Sequence, residues 1–168
     1  MQSAKDSVYV AFRERLAVVN SQRTIEIAGR TRPAVTTLEN SAISAPATNA
    51  IRRDTFELKW GAAEVVESTM SARRQMMKIE CQISYKTSGD DPAGADRGRT
   101  LGAMDAELVG MCTPLHTAKQ DYSQSPPAPL GTTVFWGHPQ FGAVEDKAGV
   151  LHRTATLSVF FFPEVSAA

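Results

Sequence analysis

Met77-Lys78-Ile79-Glu80-Cys81-Gln82-Ile83-Ser84-Tyr85-Lys86 alternates apolar and polar residues without a fault. Met77, Ile79, Cys81, Ile83 and Tyr85 fall on one side of an extended chain, and Lys78, Glu80, Gln82, Ser84 and Lys86 on the other. A repeat of period two is the pattern of a strand with one buried and one wet face. A helix would spread the same charges around its whole circumference. The stretch therefore predicts a one-faced sheet, and the rest of the chain is read outward from it.

Upstream, Thr55 to Ser68 reads as a partner strand. Phe56, Leu58 and Trp60 alternate with Glu57 and Lys59, Gly61 breaks the pattern as a bulge or bend would, and Val65 and Val66 resume it. The two runs predict a long hairpin over about 55–86 with its tip near Thr69 to Ala72. Downstream, Leu151 to Phe162 reads as the last strand, ended by Pro163. Leu151, Ala155, Leu157, Val159 and Phe161 share a face. His152, Thr154, Thr156 and Ser158 share the other, joined by Phe160 and Phe162. Arg153 falls in the apolar set and marks where the strand leaves the core. Thr132 to Trp136 is a shorter strand, His138-Pro139 an irregular link, Phe141 to Val144 a segment able to pair, and Asp146 to Gly149 a turn.

Two stretches have helical period. Val8, Phe12, Leu16 and Val19 form one apolar stripe, with Asp6 or Ser7 as the expected cap. Leu101, Met104, Leu108 and Met111 form another over about Thr100 to Cys112, where Gly102 and Gly110 lower the intrinsic propensity. Short extended pieces are expected at Thr24 to Ala28 and Ala34 to Leu38. The sum is an α+β fold: a mostly antiparallel sheet with a long hairpin, backed by two main helices. The expectation is a single domain over 1–168 with long loops at about 39–53, 87–99 and 113–131.

Composition narrows the function. Lys+Arg and Asp+Glu number 18 each, so formal net charge is zero, which argues against a general nucleic-acid binder. Arg13, Arg15, Arg23, Arg30, Arg32, Arg52, Arg53, Arg73 and Arg74 crowd the first half, but Glu14, Glu26, Glu39, Asp54, Glu57, Glu64 and Glu67 interleave with them. That mixture suits contacts between subunits as well as contacts to phosphate. No apolar run approaches the roughly 20 residues of a membrane span, and the N-terminus lacks the apolar core of a signal peptide. Cys81 and Cys112 do not make a disulfide scaffold, and Cys81, on the apolar face of its strand, reads as a buried reduced thiol, which fits a reducing interior.

The tests for chemistry give little. Cys112 and His116 have Pro114 between them, so no regular helical turn aligns them as a nucleophile and base. Cys81, Cys112 and His116 lack zinc-site spacing. Asp90 and Asp91 lack the spacing of a calcium loop, and these acids, with Glu145 and Asp146, sit in turn sequence where solvated charge is the default. His138 and His152 read as surface or hydrogen-bonded strand residues. No phosphate-loop, dinucleotide or nucleophile-elbow motif occurs. The expectation is no catalytic residue, no metal and no cofactor.

Three pieces together carry a resemblance. They are the helix Val8 to Val19 followed by Arg30-Thr31-Arg32-Pro33-Ala34-Val35, the Tyr85 strand followed by Arg99 and the Leu101/Asp105/Leu108 helix, and Gly131-Thr132-Thr133-Val134-Phe135-Trp136 with the closing run Leu157 to Pro163. In order and texture across most of the chain, these resemble the small tail terminator (tail completion) proteins of long-tailed bacteriophages and related contractile particles. Other head–tail joining proteins share much of this layout. The resemblance implies a structural virion protein assembled in the host cytoplasm and placed at the head-proximal end of the tail. It implies self-association into a six-fold ring that caps the tail tube, stops its polymerisation and joins tail to neck. The implied partners are other copies, the tail tube protein, a neck or connector protein and the tail sheath. No membrane partner is implied, and DNA would only pass through the lumen. Arg52, Arg53, Arg73, Arg74, Asp90, Asp91, Arg97 and Arg99, on the hairpin and loops, are the candidate assembly contacts. The alternatives are another head–tail joining or tail tube protein, or a small enzyme or ligand-binding domain with a pocket near His116 and His138.

Overall fold

The computed structural model describes residues 1–37, 53–67, 75–87 and 95–164. Helix α1 (Gln2–Val19) leads into strands β1 (Thr24–Ile27), β2 (Arg30–Pro33) and β3 (Val35–Thr37). Strands β4 (Phe56–Glu67) and β5 (Met76–Thr87) precede helix α2 (Ala95–Cys112). Then come β6 (His116–Asp121), β7 (Ala128–Trp136), β8 (Gln140–Phe141), β9 (Glu145–Lys147) and β10 (Val150–Phe161). The fold is α+β. β1 and β2 form a small sheet of their own, and the main sheet runs β3-β4-β5-β10-β7-β6, with β8 and β9 also paired to β10. Among the described residues, the β3–β4 pairing and the isolated Arg53–Lys86 bridge are parallel, and the other pairings of this sheet are antiparallel.

β5 lies inside the sheet, between β4 and β10, and its alternation becomes burial. Ile79, Cys81, Ile83 and Tyr85 are buried, and across the ladder Val159, Leu157 and Ala155 meet them on the same side. α1 and α2 cover that face with Val8, Phe12, Leu16, Leu101, Met104, Leu108 and Met111. Each such side chain withdrawn from water contributes about 1.5–3 kcal/mol, so the two stripes and the packed face hold one another. Phe12 meets Trp136 edge-on at 5.4 Å, and Phe56 meets Tyr85 at 5.2 Å.

The expected bulge at Gly61 is present. Trp60 pairs with Cys81 and Ala63 with Ile79, leaving Gly61 and Ala62 against Glu80. A Cβ at Gly61 would come within 3.3 Å of the Glu80 carbonyl. β7, β8 and β9 act as one interrupted strand along β10. Gly137, His138 and Pro139 face only Leu157 and Ser158, and Gly142, Ala143 and Val144 face only Arg153 and Thr154. The tight turn that returns the chain into β10 places Ala148 and Gly149 at φ +53° and +78°, the mirror-image hairpin turn that suits twisted strands.

Several boundaries differ from the sequence reading. α1 begins at Gln2, so Asp6 and Ser7 lie inside it and cap nothing. The Ser7 hydroxyl donates to the Ser3 carbonyl and accepts from the Gln120 amide, so a tertiary partner has claimed the cap-like residue. Val19 is exposed, unlike the rest of its stripe, and leans over α2 where Gly110 has no Cβ to block it. α2 starts at Ala95, so the expected loop 87–99 is corrected: Thr87 closes β5, 95–99 form the first helical turns, and 88–94 lie outside the described residues. The expected loop 113–131 is also corrected, because it contains all of β6 and the start of β7. Its prolines gave loop chemistry, but the long-range pairing of β6 with β7 prevails. The hairpin arms are as expected; its tip and most of the loop at 39–53 lie outside the described residues.

Candidate assembly surfaces

Several buried and half-buried ionisable groups tie elements to one another. Asp105 on α2 accepts hydrogen bonds from the Tyr85 hydroxyl on β5 and from the Arg153 guanidinium on β10. Arg153 also donates to the Gly142 carbonyl at 3.0 Å and lies 5.6 Å from the Phe141 ring. Burial, followed by the adjacent Asp105 carboxylate, pushes the Tyr85 phenol up from its ordinary value. Glu107 on α2 accepts from Arg23 through both carboxylate oxygens and from Asn20 at 2.7 Å, so α2 holds the turn that follows α1. Lys119 on β6, only 2% exposed, donates to the Phe162 carbonyl at 2.6 Å and pairs with Glu164 at 2.9 Å.

The β6 edge of the sheet is partly sealed by α1. Arg15 donates to the carbonyls of Met111, Pro114 and His116 while lying 5.1 Å from the Trp136 ring. Burial lowers the Arg15 pKa. About two turns apart along α1, Arg15 and Ser7 thus take up a β6 carbonyl and a β6 amide that would otherwise await a strand. Strand addition at this edge meets two side chains already in place.

Among the described residues, no helix covers the opposite face of the sheet. A row crosses it from β4 to β6: Glu64, Lys78, Phe160, Phe135 and His116 occupy successive paired positions. Lys78 bridges Glu80 at 2.7 Å and Glu64 at 3.6 Å. The hydrogen bond from Lys78, opposed by burial and aided by Ser158, holds the Glu80 carboxyl below its ordinary value. Phe135 is 44% exposed and lies 6.3 Å from the His116 ring. Further along, Ser84 and Thr154 share a hydrogen bond at 3.0 Å. This is a broad surface of mixed charge, hydroxyl and aromatic character.

The residues expected as assembly contacts are only partly placed. Arg53 is exposed and bridges the backbone of Lys86. Arg97 staples α2 to the β9–β10 turn through Asp146 at 3.4 Å and the Gly149 carbonyl at 3.1 Å. Arg99 is exposed on α2. Arg52, Arg73, Arg74, Asp90 and Asp91 lie outside the described residues. The residues that tie the molecule together, Arg23, Asp105, Glu107, Lys119 and Arg153, were not singled out as a set, and only Arg153 carried a signal, a charge in an apolar series.

Cys112 and His116 do not form a reactive pair. The Cys112 thiol is buried and pushed up to about 12, and His116 is exposed on β6. Burial likewise pushes the Cys81 thiol up. Shallow hollows lie among the described residues. One, of about 180 Å³, lies beside His152 and Arg153. Another, of about 130 Å³, lies beside Arg23 and Arg32. Neither includes His116 or His138 in its lining. Among the described residues no group of three or more His, Cys, Asp or Glu is arranged to hold a metal, and no helix is long and apolar enough to cross a membrane.

No family model and no curated protein matches this chain. Among solved structures, a chain from "Virion of native gene transfer agent (GTA) particle" superposes with a TM-score of 0.40 and 13% sequence identity, over 95% of this chain and 94% of that one. A superposition this loose carries no argument about fold or role.

Proposed function

We propose that this chain is a structural virion protein that assembles into a ring, caps the tail tube at its head-proximal end and offers a face to the neck. The observation that carries the reading is the division of the sheet. One face is packed under two helices, while the other presents charged, hydroxyl and aromatic side chains over its full width. A protein that works by contact needs such a surface on a rigid support. Asp105, Glu107 and Lys119 serve internal ties. The layout shared with tail terminators points to the same role. Arg53, Arg97 and Arg99, with Arg52, Arg73, Arg74, Asp90 and Asp91, remain the proposed assembly contacts, with copies of the chain and the tail tube and neck proteins as partners. A closed ring needs unlike surfaces on neighbouring copies, which the helical side and the open sheet face provide.

Negative-stain imaging of the purified chain, alone and with tail tubes, tests this. Rings of one size that seat on tube ends are expected. Long polymers would favour a tail tube protein instead, and single subunits that ignore tubes would overturn the reading.

A further inference from the structure

We propose that a bulge at Gly142 to Val144, pinned by Arg153, keeps the free edge of the main sheet from pairing with other copies of this chain, so that self-association is left to the faces. β6 starts at His116, opposite Phe135, and the chain before it goes into α2. Beyond Phe135, among the described residues, no strand lies outside β8 and β9. Every residue from Phe141 to Gly149 is exposed, Phe141 at 37% and Val144 at 46%. A regular edge strand with such side chains is a template for another chain.

The bulge spoils the template. Phe141 pairs with Ala155 and Glu145 with His152, so three residues, Gly142, Ala143 and Val144, span the two positions Thr154 and Arg153. An extra residue bends the strand and breaks its run of outward donors and acceptors. At the bend both backbone groups of Gly142 turn inward. Its amide donates to the Thr154 carbonyl at 2.8 Å, and its carbonyl accepts from Arg153 Nε at 3.0 Å. A Cβ at Gly142 would come within 2.9 Å of the Thr154 carbonyl oxygen, so the close approach requires glycine. Arg153 is held from behind by Asp105, which also takes the Tyr85 hydroxyl. That cluster fixes the guanidinium that draws the bulge in. Pro139, which has no amide hydrogen, and Lys147 disarm the two ends of the same edge.

Removing the extra residue restores a strand. With Ala143 deleted, Val144 comes opposite Arg153, and Gln140 to Lys147 run along Thr156 to Val150 without a break. Because Gly142 bonds inward, the amide of the next residue points away from β10. In the deletion variant that residue is Val144, so Val144→Pro there removes an outward donor and spares the ladder to β10.

Sedimentation equilibrium of the full chain over a range of concentrations tests the proposal, with the wild-type mass, monomer or ring, as baseline. Deletion of Ala143 is expected to strengthen self-association about tenfold or more, and Val144→Pro in the deletion variant to return it to baseline. Arg153→Leu frees the Gly142 carbonyl at unchanged chain length and is expected to strengthen association about threefold. Glu107→Ala, which breaks a buried tie elsewhere, is expected to leave association at baseline. Circular dichroism of each variant reports folding. The proposal fails if the folded deletion variant associates no more than wild type, or if proline leaves its association in place. Should the deletion variant not fold, the proposal fails if Arg153→Leu associates no more than Glu107→Ala. A monomeric wild type would count against the ring and not against the guarded edge, which the variants decide.

Discussion

Thr156 and Leu157 are neighbours on β10, with the same backbone and the same partner strand, β5. Leu157 is buried beneath the helices; Thr156 faces the uncovered side. On the packed side, position is held by shape. Cys81, Leu157, Phe12 and Trp136 interlock, and the few charges there are pinned by hydrogen bonds to another element. On the open side, Lys78, Glu80 and Glu64 are held mainly by one another, in contact with water. Ion pairs of the second kind stabilise little, with a median of about 0–1 kcal/mol, so their arrangement is free to serve another surface. The two faces of one sheet therefore do different work: one keeps the fold, and the other is available for contact.

The contrast breaks most directly at those neighbours. Leu157→Ala is expected to cost about 2–5 kcal/mol in urea unfolding, through lost transfer energy and a cavity that the surrounding helices only partly fill. Thr156→Ala, one residue away, is expected to change stability by less than about 0.5 kcal/mol. Equal costs would mean that the open face is covered by something else.

A buried charge sharpens the comparison from the other direction. Glu107→Ala leaves Arg23 and Asn20 without their shared acceptor in a nearly dry site, and a loss of about 3 kcal/mol is expected by thermal and urea unfolding. A loss like that of an open-face pair would show that water reaches this corner.

The smallest effect is expected at the end of the chain. Burial pushes the Glu164 carboxyl up, but hydrogen bonds from the Met1 ammonium and Lys119 outweigh it and hold the group at about 2. A carboxyl lowered on folding contributes stability that is full above its unfolded value and is lost as pH falls through the folded one. An acid titration followed by unfolding should show this contribution disappearing between about pH 4.5 and pH 2. Glu164→Gln should remove that part of the acid sensitivity and leave the rest. An unchanged profile would mean that the carboxylate does not hold the end of β10.

Much of this architecture was legible in the chain. The alternation of Met77 to Lys86, the glycine break in β4, the stripes Val8-Phe12-Leu16 and Leu101-Met104-Leu108-Met111, and the turn at Asp146 to Gly149 each report one element's own relation to water. The surfaces were harder to read. Arg153 stood out as a charge in an apolar series, but its meaning came from Asp105 on a different element. Ser7 had the chemistry of a helix cap and became a clasp for β6. The prolines between Thr113 and Gly131 resembled a loop; Pro114, Pro126 and Pro127 flank strands instead, and Pro129 lies within β7.

By itself the sequence determined which sides of β5, β10 and the two helices turn inward, because burial periodicity is set within each element by residues a few positions apart. Only the tertiary structure decided the order of the strands and the sealing of the β6 edge by Ser7 and Arg15. Those depend on partners brought together from distant parts of the chain, and no local pattern encodes which partner arrives.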